Sequence, residues 1–211
     1  MAAAVSASAN VVGEGRQRSK YGPADEIGAA NLLTPEVVRD ALALVRQGRV
    51  LSLGLALNPG APGYPPRRFE HHSIQNIGTG NSNNDDFVNA SLNTGTQIDG
   101  LAHLGVDAVL YNEHGYDDIF AMDGLKKLGA EKIPPMVTRG LLLDVVALKG
   151  RCLNGGEVIT RAEVDEALRR IGTTVRPGDV VLFHTGWIER WRAGSDLFWK
   201  EEPGPGIEAA D

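Results

Sequence analysis

The chain has 211 residues, 42% of them hydrophobic and 6% aromatic, enough to bury one core of ordinary size. Its 21 Lys and Arg are outnumbered by 27 Asp and Glu, a net charge of −6 that argues against the basic face of a nucleic-acid binder and leaves room for a local basic pocket taking an anionic substrate. The single cysteine, Cys152, excludes an intrachain disulfide, and no apolar run reaches the about 20 residues of a membrane span, so no membrane is expected and the cytoplasm is the expected location.

The opening MAAAVSASANVVGEG has neither a basic start nor a continuous apolar run. Residues 1–20 therefore read as a disordered tail and 21–211 as a single domain. Thr34-Pro35 opens a helix, with a hydroxyl at the cap and proline in the first turn; Val37, Val38, Ala41, Leu42 and Val45 give it one apolar face, and Gly48 stops it. Leu51, Leu53, Leu55 and Leu57 alternate with small residues, the period of a strand, and Asn58-Pro59-Gly60 ends it. Residues 75–86, QNIGTGNSNNDD, read as a long polar surface loop.

The nearly continuous apolar run 140–149 reads as a buried strand. Thr160-Arg-Ala-Glu163 is a capping box opening a helix that buries Val164, Ala167, Leu168 and Ile171 and ends at Gly172. Pro177-Gly178-Asp179 then turns into VVLFH, a second buried strand ending at His184. Strand, helix, strand at this spacing predicts a crossover and a parallel pair.

The chemistry concentrates in NTGTQIDGLAH. Asn93, Gln97, Asp99 and His103 stand at odd positions, so an extended segment would put them on one face and Ile98 and Ala102 on the other. One carboxylate, one imidazole and two amide carbonyls form an oxygen-rich set that suits Mn²⁺ or Mg²⁺ better than a soft thiolate site would. The same residues also read as local structure, with Asn93 and Gln97 satisfying backbone groups and Asp99 acting as a cap. Elsewhere, His72 of the His71-His72 pair, His184 at a strand end and Trp187 are candidates for substrate contact; an exposed pair and aromatic packing with Phe198-Trp199 are the plainer readings.

The stretch Asn93-x-Gly95-Thr96-Gln97-x-Asp99-x-Leu101-x-His103 resembles the hallmark His-x-Gly-Thr-His-x-Asp-x-Pro-x-His of the putative cyclase family. YGPADEIGAANLLTPEVV, RGLLLDVV and GDVVLFHTGW are similar to that family as well. The family comprises metal-dependent hydrolases that include bacterial kynurenine formamidase, of tryptophan catabolism, and isatin hydrolase. The resemblance implies an α/β fold of the swivelling β/β/α type, a mixed sheet or partly closed barrel flanked by helices, usually dimeric or tetrameric. It implies a divalent metal and hydrolysis of a small cyclic amide, a lactone or an N-formyl aryl amine. Asp99 matches a metal ligand and His103 the proton-transfer histidine; Asn93 and Gln97 stand where the family has two histidine ligands, either as ligands or as groups orienting a water. Amide oxygens are neutral, which favours manganese over zinc. The family brings a further His and Glu from its last part, and a chain stopping at PGPGIEAAD is expected to lack that part. A lyase or cyclase on the same fold, and a non-catalytic binder of small molecules, are the rival readings.

Overall fold

The computed structural model of the chain describes residues 18–209, so the expected tail lies almost wholly outside them. In chain order the elements are α1(Pro35–Leu42), β1(Phe69–Ile77), β2(Ser82–Ala90), α2(Tyr116–Ile119), β3(Phe120–Ala121), β4(Gly124–Leu125), β5(Gly140–Asp144), α3(Val145–Lys149), β6(Val158–Ile159), α4(Arg161–Arg170), β7(Val180–His184), α5(Ile188–Arg192) and β8(Gly204–Pro205). The class is mixed α/β, as expected. The strands form two-stranded sheets, β1-β2 and β3-β4 antiparallel, β5-β7 and β6-β8 parallel, and no closed barrel among the described residues. That is a correction to the one mixed sheet or partly closed barrel expected. The chain divides into two compact units, Met1–Val45 with Ile98–Arg139, and Arg46–Gln97 with Gly140–Asp211.

In the first unit Thr34 caps α1 as its sequence requires, its Oγ1 accepting the Val37 N–H at 3.4 Å. The helix stops at Leu42, short of Gly48. Leu42, Leu44 and Val45 are exposed, so no burial rewards another turn, and a short helix gains most of its stability from burial. The core of this unit is Leu110, Ile119 and Leu128, with Leu101, Ala102 and Tyr111 packed against it. A buried carboxylate ties the entering chain down: Asp25 accepts from Tyr111 Oη at 2.6 Å, Asn31 Nδ2 at 2.6 Å and Ser19 Oγ at 2.7 Å, and from the N–H groups of Ile27 and Gly28 at 3.2 Å. Burial raises its pKa, but the bonds from Tyr111, Ser19, Asn31 and Ile27 together outweigh it and hold the carboxyl far below the usual carboxylate range.

The second unit contains the expected crossover. β5 and β7 pair in parallel, Leu141 opposite Val181 and Asp144 opposite His184, with α4 between them in sequence. The capping box is present, Thr160 Oγ1 accepting from Glu163 N and the Glu163 carboxylate from Thr160 N. Leu143, Val145, Leu153, Ile159, Val164 and Ala167 form the core, with Leu168, Val181 and Phe183 against it. The run 140–149 is not one strand. Asp144 stops β5 by capping α3, its carboxylate accepting the Ala147 N–H at 2.9 Å, and left-handed Gly150 closes that helix.

Residues 75–86 are not a loop either. They belong to an antiparallel hairpin that turns at residues 78–81, where Gly78 N–H meets Asn81 O at 3.0 Å. Its polar side chains bond across the strands: His71 Nε2 lies 3.0 Å from Asp86 Oδ1, and Ser73 Oγ donates to the same oxygen at 2.6 Å. Conversely, the leucine alternation at 51–57 forms no strand. Leu51, Leu53 and Leu57 are exposed, and the Leu55 N–H donates to Thr96 Oγ1 at 2.9 Å rather than to a ladder.

Candidate functional site

The segment Asn93–His103 crosses from the second unit to the first between Gln97 and Ile98. Its first half is fastened to residues 62–68. Ser91 N–H donates to Arg68 O at 2.9 Å, Thr94 forms an isolated antiparallel bridge with Gly63, and Gly95 N–H donates to Pro62 O at 2.6 Å. Gly95 has φ +67°, and a Cβ there would come 2.9 Å from Leu57 Cδ2. This left-handed residue breaks the extended path, so the alternation of faces assumed from spacing does not run through the segment. Asn93 is half-buried and Gln97 exposed. Thr94 is only 3% exposed, and its Oγ1 has no hydrogen-bond partner among the described residues.

In the second half, Leu101 and Ala102 pack against the Leu110, Ile119 and Leu128 core, and a turn carries His103 N–H to Gly100 O at 2.9 Å. Those anchors leave Asp99 and His103 exposed, with His103 Nε2 3.9 Å from Asp99 Oδ1. This is ion-pair range and longer than a hydrogen bond. Among the described residues no group of three or more His, Cys, Asp and Glu is placed to hold a metal ion. The donors the segment offers are one hard anionic oxygen and one imidazole, with neutral amide oxygens beside them in sequence. That set fits a hard divalent ion held partly by neutral oxygen, and it does not fit a closed zinc cage.

A second pair stands where the parallel strands end. Asp144 and His184 are register partners at the carboxyl ends of β5 and β7, the end at which open α/β sheets take their ligands. His184 Nδ1 lies 2.9 Å from Asp144 Oδ1. A carboxylate only accepts, so a hydrogen bond here puts a proton on Nδ1. The Ala147 N–H and then His184 hold the Asp144 carboxyl below the ordinary carboxylate range. The sequence pointed to His184 and missed Asp144. The missed signal was an acidic residue closing an apolar run, in register with the histidine that closes the parallel partner strand.

The other candidates stand as follows. His72 is exposed on β1, opposite Phe87 across the hairpin, and His71 faces the other way towards Asp86. Trp187 is buried and stacks on Phe198 with ring centroids 6.3 Å apart, the packing reading of that aromatic group. No helix among the described residues is long and apolar enough to cross a membrane.

Comparison with known proteins identifies the frame in which these residues sit. Residues 51–211 match the family model described as putative cyclase. Among solved structures, one described as a novel cyclase superimposes with a TM-score of 0.83 at 30% sequence identity, over 90% of this chain and 68% of that chain. No curated protein matches the chain significantly. The family model covers well over half of the sequence, including the whole of NTGTQIDGLAH and the Asp144–His184 pair, and the chain belongs to the putative cyclase family.

Proposed function

We propose that the chain is a metal-dependent hydrolase that opens a small cyclic amide or lactone or cleaves an N-formyl aryl amine. The observation that carries this reading is the exposed Asp99–His103 pair, 3.9 Å apart, inside the hallmark segment of a cyclase-family chain. Asp99 supplies the charged oxygen for a hard divalent ion, Mn²⁺ in preference to Zn²⁺, and Gln97 and Asn93 are the amide donors carried by the same segment. Such an ion, when bound, polarises a carbonyl and makes water easier to deprotonate. His103, an exposed imidazole, takes the proton from the attacking water and delivers it to the departing nitrogen or oxygen. A small-molecule substrate and a homodimeric or homotetrameric assembly belong to the same proposal. Family membership and likeness to a solved cyclase support them.

The test is hydrolysis of formanilide and dihydrocoumarin by the Mn²⁺-supplemented protein in heavy-oxygen water. The reading predicts an acid product carrying one oxygen from solvent. A rearranged or eliminated product without the label would make the chain a lyase or cyclase. Mn²⁺-independent binding of these compounds without turnover would make it a binding protein.

A further inference from the structure

We propose that Arg67, with Arg68, Asn89 and Ser91, forms a binding site for a small organic carboxylate. A cleft of about 290 Å³ opens at the base of the β1-β2 hairpin, lined by Pro66, Arg67, Arg68, Asn89, Ala90 and Ser91. That volume is at the low end of small-molecule clefts, which run from about 300 to 1,000 Å³, and it takes an acid of one ring or less. Two arginines are among the residues lining it on a chain of net charge −6, so positive charge there is local and not a property of the whole surface.

The two arginines are not equivalent. Arg68 Nε lies 2.8 Å from Glu70 Oε1, and the other oxygen of Glu70 accepts from Asn89 Nδ2 at 2.9 Å. Glu70 thus neutralises Arg68 and fixes the amide opposite it. Arg67 has no carboxylate within ion-pair distance among the described residues. The backbone around it is held in place: Arg67 N–H donates to Tyr64 O at 2.9 Å, and the O of the next residue, Arg68, accepts from Ser91 N–H at 2.9 Å. An arginine on the loop that lines the cleft, with no carboxylate to compensate it, offers a planar fork that matches a carboxylate in two parallel hydrogen bonds. Pro66 and Ala90 add apolar surface, which suits an organic acid better than inorganic phosphate.

The cleft adjoins the hallmark segment along the chain. Ser91 lines it, Asn93 follows two residues later, and the bridge from Thr94 to Gly63 keeps that strand of chain beside residues 62–68. Hydrolysis of a lactone, an amide or a formamide releases a carboxylate, so the cleft gives the proposed reaction an anionic substrate or product. The binding site itself stands without that reading, and its test needs neither metal nor turnover.

The experiment is a titration of uniformly ¹⁵N-labelled, metal-free full chain with benzoate, and separately with inorganic phosphate, followed by NMR. The site predicts saturable shifts from benzoate in the Arg67 Nε–Hε signal and in the backbone amides of residues 67, 68 and 89–91. Arg67→Gln, which keeps a polar side chain and removes the charge and the fork, should weaken benzoate at least about tenfold, as loss of a charge-assisted paired contact does. Added salt should weaken it as well. Benzoate shifts that stay linear and unlocalised, or that persist unchanged in Arg67→Gln, would overturn the site. Saturable phosphate binding with none of benzoate would overturn the carboxylate class. If Arg67→Gln failed to fold, the location and saturation of the native chain's shifts would still decide.

Discussion

His103 Nε2 stands 3.9 Å from Asp99 Oδ1, and both side chains are exposed on a turn anchored by Leu101 and Ala102. The pair has separable duties in the proposed reaction. Asp99→Ala should abolish retention of Mn²⁺, measured by metal content after gel filtration. His103→Ala should retain the ion and lose turnover by about 10²–10⁴-fold, the usual worth of a positioned acid–base group. Unchanged turnover in His103→Ala would remove the proton-transfer role. Gln97→His should raise Zn²⁺ affinity if its side chain faces the ion; an unchanged affinity would place it away from the ion.

The Asp144–His184 pair predicts a tautomer. With Nδ1 held 2.9 Å from Oδ1, long-range ¹H–¹⁵N spectra of the neutral ring should show the proton on Nδ1. Asp144→Ala should shift the ring towards the Nε2–H form. It should also cost about 1 kcal/mol, because Asp144 caps α3 through the Ala147 N–H. An unchanged tautomer in the variant would show that the carboxylate does not orient the ring.

Asp25 makes a prediction about acid stability. Replacing it with Ala leaves the Tyr111, Ser19 and Asn31 donors without their buried acceptor, at a cost of about 2–4 kcal/mol in the first unit. The folded-state pKa lies below the unfolded one, so the ionised carboxylate's contribution is complete above the ordinary carboxylate range. It is lost as the pH falls towards the depressed folded value. The difference in Tm between native chain and Asp25→Asn should therefore shrink on acidification. A constant difference across that range would assign the stability to something other than the charge.

Gly95 tests the path of the hallmark segment. Its φ of +67° puts a side chain in the left-handed region, and a Cβ would press on Leu57. The leucine tip is exposed and can move, so backbone strain dominates, and Gly95→Ala should cost about 1–2 kcal/mol by chemical denaturation. No loss would mean that the segment relaxes to an extended path.

Local signals were the legible part of this sequence. The capping hydroxyls of Thr34 and Thr160 and the crossover from β5 to β7 follow from short-range pattern, and the structure has them. The hairpin was illegible because its strands are polar on both faces. Asn, Asp and Ser there read as loop residues, while what holds them is a nine-residue ladder and cross-strand bonds such as Ser73 to Asp86. Leu51 to Leu57 has the opposite character, a strand period with no strand beside it. The run 140–149 concealed a helix start because Asp144 caps from within an apolar stretch. The Asp25 network joins residues 86 to 92 positions apart from Tyr111, and no window on the sequence reveals such a contact. Within the hallmark, residue types pointed to an oxygen-rich donor set, and the left-handed turn at Gly95 defeated the argument from alternating faces.

The most direct measurement is a calorimetric titration of chelator-stripped protein with Mn²⁺ and with Zn²⁺, run beside Asp99→Ala. The account predicts saturable binding of Mn²⁺ at one site, no advantage for Zn²⁺, and loss of both in the variant. Equal Mn²⁺ binding by Asp99→Ala, or none by the native chain, would contradict the claim that NTGTQIDGLAH holds a catalytic ion.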